Sequence, residues 1–156
     1  MLQPGDLAPD FTAPTQTGDA LTLSSLRGQR VALYFYPKDD TPGCTRQACS
    51  LRDGEAGLAA DGIAVVGVSG DDAASHARFA EKYALSFPLV ADADHAIATA
   101  YGVYGDKTLY GRLFRGISRT TFLIDADGRI VDVIKRPDTA GHADEVRRRF
   151  AKAEAA

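Results

Sequence analysis

Apolar residues in this chain form short runs separated by polar turns. Residues 31 to 36 and 63 to 68 are apolar throughout, which predicts two strands that are buried on both faces. Residues 120 to 124 and 130 to 134 flank a turn at residues 125 to 128, so they predict a β-hairpin. These runs are expected to supply the central strands of the fold.

Helical spacing of apolar residues predicts most of the segments between these strands. Residues 103 to 115 lack a convincing period, and we interpret them as an ordered functional loop. The resulting order of elements predicts a three-layer α/β sandwich of thioredoxin-like type with an N-terminal β-hairpin extension. We expect one domain over residues 1 to 156. The remaining predicted elements are helices over residues 42 to 58, 73 to 84, 95 to 101 and 140 to 153, a brief strand at residues 89 and 90, and a hairpin within residues 11 to 26.

Composition and charge exclude several classes of function. The 18 basic and 21 acidic residues give a formal net charge of -3, which creates no field that would attract nucleic acid or an anionic membrane. No apolar run approaches the roughly 18 residues of a membrane span, and the first six residues lack the features of a signal peptide. We therefore expect a cytoplasmic protein with no nucleic acid or membrane partner.

Metal chemistry is not expected from the residues that could bind an ion. Two cysteines are too few for a zinc site with four thiolates, and His76, His95 and His142 are not at ligand spacing. We interpret each histidine as an ordinary surface or cap residue. No metal, haem or flavin cofactor is predicted.

Candidate chemistry begins just after the first buried strand. Thr41 and Pro42 form the pattern of a helix start, with a hydroxyl residue at the N-cap and proline at the first helical position. Cys44 therefore lies in the first turn of the helix, where unpaired backbone N–H groups and the helix dipole favour a thiolate. The alternative is a small buried hydrophobic residue, the usual role of an unpaired cysteine.

The second cysteine of the chain, Cys49, lies five residues after Cys44. On a continuous helix the two Cα atoms would be about 8.5 Å apart. A disulfide requires a separation of about 7 Å or less. The pair can bond only if the helix unwinds locally, which suits a transient catalytic disulfide better than a structural one. Helical periodicity places Cys44 on the inner face and Cys49 nearer the edge of the fold.

These residues resemble the signature of a known family. Pro37, Thr41 and Cys44 match the Pro-x-x-x-Thr-x-x-Cys motif of peroxiredoxins. The sequence Thr-Pro-Gly-Cys-Thr, with a second cysteine five positions after the first, is similar to the Q type, also called bacterioferritin comigratory protein. The likeness covers nearly the whole chain and includes residues 5 to 11, 87 to 92, 110 to 112 and 116 to 125.

The resemblance implies roles for several residues around Cys44. The Thr41 hydroxyl would hydrogen-bond the sulfur and the peroxide, Pro37 would shield the pocket, and Gly43 would let the backbone approach the substrate. Arg119 would place a positive charge beside the thiolate. A physical argument supports this role independently, because a permanently charged guanidinium stabilises a neighbouring anion. The alternative for Arg119 is an ordinary surface arginine at a strand end.

Gln47 lies where the family has a carboxamide or carboxylate that helps to orient the arginine. A glutamine on a helix is more often simply solvated, so both interpretations stay open. The sequence does not decide between them.

The resemblance implies a thioredoxin-dependent peroxidase of the atypical two-cysteine class. It would reduce hydrogen peroxide and organic hydroperoxides, forming a sulfenic acid at Cys44 and then an intramolecular disulfide with Cys49. Thioredoxin or a similar dithiol would reduce that disulfide by thiol exchange. Relatives of the Q type also suggest a monomer.

Two other classes of function remain open at this point. A thiol-disulfide oxidoreductase or peroxide sensor on the same fold would use the same two thiols. Thioredoxin-type exchange, however, uses Cys-x-x-Cys, whereas four residues separate Cys44 from Cys49. A non-enzymatic binding or holdase module would require neither the cysteine spacing nor Arg119. Repeated turnover of peroxide would distinguish the peroxidase from both.

Overall fold

A computed structural model describes residues 2 to 155, apart from the side chain of Leu109. The strands are β1 (Thr12–Pro14), β2 (Ala20–Thr22), β3 (Arg30–Phe35), β4 (Ile63–Ser69), β5 (Leu89–Ala91), β6 (Tyr104–Leu109), β7 (Arg112–Ile117), β8 (Thr120–Ile124) and β9 (Ile130–Ile134). The α-helices are α1 (Pro42–Asp53), α2 (Glu55–Ala60), α3 (Ala73–Tyr83), α4 (Ala96–Ala100) and α5 (His142–Ala155), and a 3-10 helix spans Leu23–Leu26. None of the helices between residues 2 and 155 is long and apolar enough to cross a membrane.

Five strands form the central sheet in the order β5-β4-β3-β8-β9. Strand β3 is parallel to β4 and antiparallel to β8, and β4 is parallel to β5. The hairpin of β8 and β9 completes the far edge. The predicted hairpin at the N-terminus is also present, as the antiparallel pair β1 and β2 outside this sheet.

Successive residues of β3 alternate between two hydrophobic clusters, because neighbouring side chains of a strand point to opposite faces. Tyr34 packs with buried residues of α1, α3 and α5, including Leu51 and Phe150. Leu33 and Phe35 pack on the other face with residues of α4 and the N-terminal segment. Helices therefore cover both faces of the sheet, and the three-layer prediction is confirmed.

The cysteine helix is shorter than the sequence predicts. The expected helix over residues 42 to 58 is divided into α1 and α2 at Gly54. Gly54 lies where α5 comes closest, since a Cβ atom added there would overlap the Cβ of Ala143. Glycine is also a poor helix former, so the chain bends where the packing leaves no room for a side chain.

We expect Gly54→Ala to lower the free energy of unfolding by about 1–3 kcal/mol, because the added methyl overpacks the contact with Ala143. Urea denaturation of the two proteins measures the difference. Gly57→Ala is the matched control in α2. Its new Cβ would meet only the guanidinium end of Arg147, which can move, so a change below about 1 kcal/mol is expected. Equal stability of the two variants would contradict the packing argument.

Residues 103 to 115 are not the ordered functional loop that the sequence predicts, because they form a β-hairpin. Strands β6 and β7 pair antiparallel across this region and form a hairpin separate from the central sheet. Tyr110 and Gly111 make the two-residue connection, and both have positive φ, as a type I′ turn requires. Leu113 and Phe114 are exposed, so neither face of this hairpin needs to be apolar. The sequence therefore shows no alternation of polar and apolar residues that would predict these strands.

The interpretation of the histidines is wrong at two of three positions. His76 and His142 are fully buried, whereas we expected surface or cap residues. His95 precedes α4 and stacks on Tyr104 with ring centroids 4.2 Å apart. Burial of these two polar rings is compatible with a stable fold, because both nitrogen atoms of each ring have hydrogen-bond partners.

Candidate active site

The start of α1 places Cys44 at the end of the central strand β3. Thr41 is the N-cap residue with extended backbone, and Pro42 is the first helical residue, as the sequence predicts. The Thr45 N–H donates to the Thr41 carbonyl at 2.8 Å and closes the first turn. Cys44 lies within this turn and is buried, with 1% of its surface exposed. Its sulfur therefore faces the interior of the fold.

Arg119 approaches this sulfur from the short connection between β7 and β8. Its Nη2 donates to the Cys44 Sγ at 3.3 Å, and its Nη1 donates to the Gln47 Oε1 at 2.7 Å. A guanidinium at this distance can stabilise negative charge on the sulfur through its own charge and a hydrogen bond. The geometry thus brings together three residues from two distant parts of the sequence.

Gln47 is fully buried, so it is not the solvated helical glutamine of the second interpretation. Its carbonyl oxygen holds the Arg119 guanidinium. Its Nε2 is buried without a hydrogen-bond partner among residues 2 to 155. An unsatisfied buried donor costs about 1–3 kcal/mol, so this part of α1 is less stable than its packing alone would suggest.

Gly43 leaves the space that the arginine occupies. A Cβ atom added at Gly43 would lie 3.0 Å from the Nη2 of Arg119. That distance is shorter than ordinary van der Waals contact, so a larger residue would push the guanidinium away from Cys44. Packing against Arg119 therefore requires glycine at position 43. This requirement is separate from the substrate contact that the resemblance implies.

Thr41 and Pro37 are near the site but do not make the contacts that the resemblance implies. The Thr41 hydroxyl donates to the Lys38 carbonyl at 2.9 Å and not to the Cys44 sulfur. Pro37 follows β3 and is exposed. The hydroxyl could turn towards a bound substrate, and Pro37 could border it, so both roles stay predictions.

Cys49 lies on the same continuous helix as Cys44. Both cysteines are free, and Cys49 is only partly buried. The inward position of Cys44 and the more peripheral position of Cys49 agree with the helical periodicity of the sequence. A bond between them requires a change in α1.

Tyr34 lies against the inner side of this region. Burial raises the pKa of Tyr34 well above its usual value, and the negative charge of Cys44 raises it further. Its hydroxyl is buried without a hydrogen-bond partner in the described chain. Tyr34 therefore stays neutral. Its ring forms an apolar boundary of this region, and its hydroxyl group is a donor without a partner in the described chain.

The sequence analysis did not predict a buried polar network around Asp39, in the segment that precedes α1. The Asp39 carboxylate accepts hydrogen bonds from the Tyr36 hydroxyl at 2.6 Å, the Ser75 hydroxyl at 2.9 Å and the His76 Nδ1 at 2.7 Å. We call Tyr36, Asp39, Ser75 and His76 the Asp39 network. Asp39 and His76 are 37 residues apart in the sequence, so no spacing pattern could have paired them.

Two members of the Asp39 network, together with Asp71, form the one group of possible metal ligands found between residues 2 and 155. Ligand atoms of Asp39, Asp71 and His76 lie within 4.8 Å of one another. Asp71, however, accepts from the Asp39 N–H and the Ser69 hydroxyl, and the Asp39 oxygens accept three further donors. A cation would have to displace these hydrogen bonds, so we interpret the group as structural.

The second buried histidine lies near Arg119. His142 Nε2 contacts the Thr121 hydroxyl at 2.8 Å, and Nδ1 contacts Glu145 at 2.9 Å. Burial lowers the pKa of His142, although the Glu145 carboxylate acts in the opposite direction. A neutral ring adds no second cation beside Arg119, which leaves the guanidinium as the charge that faces Cys44.

Comparisons with known proteins agree on one family. Residues 4–133 match the model of the AhpC/TSA family. The chain is 47% identical over 145 residues to peroxiredoxin Bcp of Escherichia coli, which covers 93% of each sequence. A structure of PrxQ from Xylella fastidiosa superposes with a TM-score of 0.90 at 34% identity and covers 100% of this chain and 99% of that one.

A further solved structure comes from Xanthomonas campestris. It is a bacterioferritin comigratory protein studied for alkyl peroxide reduction in trapped intermediate and ligand complexes. It superposes with a TM-score of 0.86 at 33% identity and covers 98% of each chain. These similarities extend over the elements that position Cys44, Gln47 and Arg119.

Proposed function

Because the chain belongs to the AhpC/TSA family and is a peroxiredoxin of the Q type, we propose that it reduces hydrogen peroxide and organic hydroperoxides through Cys44. The observation that carries this proposal is the buried Cys44 sulfur in the first turn of α1, 3.3 Å from the Arg119 guanidinium. The thiolate is the nucleophilic form of cysteine, and the guanidinium is placed to stabilise its charge.

In the first step the Cys44 thiolate attacks one oxygen of the hydroperoxide. The S–O bond forms as the O–O bond breaks, and the departing alkoxide or hydroxide takes a proton to become an alcohol or water. Cys44 is left as a sulfenic acid, so sulfur is oxidised by two electrons and the peroxide is reduced by two.

Arg119 is placed to stabilise charge during this step. Its Nη2 already faces the sulfur, and a peroxide bound there would develop negative charge on the departing oxygen within reach of the same guanidinium. Gln47 fixes the other guanidinium nitrogen, so little reorganisation is needed during the reaction. We assign Thr41 the role of a hydroxyl that turns from Lys38 to the bound peroxide, and Pro37 a border of the pocket.

In the second step the Cys49 thiol attacks the sulfenic sulfur of Cys44. The S–S bond forms and the sulfenic oxygen leaves as water. A dithiol protein of the thioredoxin type then reduces the disulfide by exchange and becomes oxidised itself. We infer that the protein acts as a single-domain monomer in the cytoplasm, where thiols are kept reduced.

The alternative of a thiol-disulfide oxidoreductase or peroxide sensor is not favoured. The relatives named above are peroxiredoxins, and one was studied for peroxide reduction. A buried cysteine beside a guanidinium is also poorly exposed to a protein disulfide, which is much larger than a hydroperoxide.

Consumption of peroxide by the purified protein with thioredoxin, thioredoxin reductase and NADPH tests the proposal. We expect many turnovers for each protein molecule, and a panel of hydrogen, alkyl and lipid peroxides defines the preferred substrate. A single stoichiometric oxidation without turnover would favour the sensor.

We expect Arg119→Ala to slow the reaction of Cys44 with peroxide by about 10²-fold, because the donor that stabilises the departing oxygen is lost. The pH midpoint for alkylation of Cys44 should also rise. Rapid mixing and thiol alkylation against pH measure the two effects. Arg115→Ala removes an exposed arginine from β7 and is the matched control. An unchanged midpoint in Arg119→Ala would exclude Arg119 as the activating charge.

A further inference from the structure

The segment that leads into α1 is held by a buried carboxylate. Asp39 is 7% exposed, and its three hydrogen-bond donors come from the end of β3 and from α3. Its backbone N–H donates to Asp71 at 2.8 Å. Both the side chain and the backbone of Asp39 are therefore fixed before the helix starts.

The hydrogen-bond partners of His76 indicate the charge of its ring. Nδ1 lies 2.7 Å from the Asp39 carboxylate, and Nε2 lies 2.9 Å from the carbonyl oxygen of Val90. Both partners are acceptors, so both ring nitrogens must carry a proton for the two hydrogen bonds to form. This arrangement favours the doubly protonated imidazolium, which would form a buried ion pair with the Asp39 carboxylate.

This ion pair is connected to the active site through neighbouring residues of the loop. Lys38 precedes Asp39, and its carbonyl accepts the Thr41 hydroxyl at 2.9 Å. Asp40 has a positive φ of 56°, a conformation that must be maintained by its surroundings. Thr41 is the N-cap of α1. Movement of Asp39 would therefore shift the first turn of the helix.

A small shift of that turn matters because Arg119 belongs to a different part of the chain. The 3.3 Å contact between Cys44 and Arg119 depends on the relative position of α1 and the β7–β8 connection. A displacement of about 1 Å in a reacting group can reduce a rate by about 10²-fold. The contact between Cys44 and Arg119 therefore depends on Asp39 staying in place.

We propose that His76 is a positioning residue whose imidazolium holds Asp39 and thereby sets the start of α1, so that attack of Cys44 on peroxide depends on the charge of a histidine outside the active site. The proposal rests on the proposed peroxidase function. His76 touches neither the substrate nor the sulfur and acts through the loop.

The groups that face His76 support a pH dependence. They are Asp39 from the loop, Asp71 from the turn after β4 and Tyr36 after β3. Burial lowers the pKa of His76, but the hydrogen bond and charge of Asp39 outweigh it, and the pKa is raised above its ordinary value. As the pH rises through that raised pKa, the ring loses one proton and one of its two buried hydrogen bonds.

The experiment compares Asp39→Asn and His76→Gln with the wild-type protein. The rate of Cys44 oxidation is measured in single turnovers of the reduced protein, across the pH range in which histidine titrates. We expect the wild-type rate to fall on the alkaline side. Both variants should be slower near neutral pH by about tenfold and should lack that alkaline fall. His95→Gln is the control for the same substitution at another histidine and should match the wild type.

Asp39→Asn keeps the test decisive if His76→Gln does not fold. The carboxamide that this substitution introduces is close in size to the carboxylate, so the variant is expected to fold, but it has no charge to hold the imidazolium. The pH midpoint for alkylation of Cys44 should be unchanged, because the network positions the sulfur and does not supply its charge. Nitrogen NMR of the wild-type imidazole should show two N–H groups on His76 at neutral pH.

Two results would overturn the proposal. One is a neutral His76 ring at a pH where the wild-type protein reacts at its full rate. The other is a full peroxide rate with an unchanged pH profile in Asp39→Asn. Failure of the proposed function is distinguishable from these, since a wild-type protein that consumed no peroxide would show it without any variant.

Discussion

Cys44→Ser is expected to abolish peroxide reduction. Serine has almost no oxyanion at neutral pH, so the substitution removes the nucleophile while changing one buried atom. The guanidinium of Arg119 keeps its contact with Gln47 and has no other way to break the O–O bond. Peroxide consumption with thioredoxin, thioredoxin reductase and NADPH should fall to the rate without enzyme.

The matched control for Cys44→Ser is the same substitution at Cys49. Cys49→Ser should still react once with peroxide, whereas Cys44→Ser should not react at all. Circular dichroism and urea denaturation establish that both variants are folded. Near wild-type peroxidase activity in folded Cys44→Ser would remove Cys44 from its assigned role.

The sequence predicted those parts of the site that depend on local rules. The hydroxyl and proline pair at Thr41 and Pro42 defines a helix start, and α1 begins there. The inward position of Cys44 and the outward position of Cys49 follow from helical periodicity alone. The family signature added Arg119, and the structure places its guanidinium on the Cys44 sulfur.

The parts that the sequence did not predict depend on tertiary contacts. His76 and Asp39 meet because α3 packs beside the end of β3, and neither residue has a neighbour in the sequence that indicates the pair. The bend at Gly54 results from the close approach of Ala143. The β6–β7 hairpin escaped prediction because strands with exposed faces need no regular alternation of polar and apolar residues.

The arrangement of the two cysteines separates the two steps of the reaction. Cys44 and Cys49 are free and lie on one continuous helix. Ideal helical geometry puts their Cα atoms about 8.5 Å apart, beyond the limit of about 7 Å for a disulfide. The conformation that positions Cys44 for peroxide therefore prevents its bond with Cys49, and α1 must open between the two steps.

Opening the first part of α1 costs little free energy. Each backbone hydrogen bond contributes a net of about 0.5–1.5 kcal/mol, so breaking one turn costs a few kcal/mol. The buried Gln47 Nε2 has no hydrogen-bond partner in the described chain and gains water when the helix opens, which offsets part of that cost. Opening also ends the contact between Arg119 and Cys44.

The second half of α1 is held more firmly. The Ser50 hydroxyl accepts from the Ala143 N–H at 3.3 Å, and Arg52 donates to the Tyr83 carbonyl at 2.8 Å. The helix is anchored to α5 and α3 beyond Cys49. Local opening is therefore expected to be confined to residues 42 to 50 while the domain stays folded.

We expect Cys49→Ser to retain the first attack on peroxide, to accumulate sulfenic acid at Cys44 and to lose thioredoxin-dependent turnover. Hydrogen exchange and mass mapping of reduced and peroxide-treated protein measure the change in α1. The wild type should form the Cys44–Cys49 disulfide and lose protection over residues 42 to 50, with α5 unchanged. Oxidised Cys49→Ser should keep its protection, because no bond forces the helix open. An oxidised wild-type protein without this disulfide, or with the disulfide and unchanged protection over residues 42 to 50, would refute the opening mechanism.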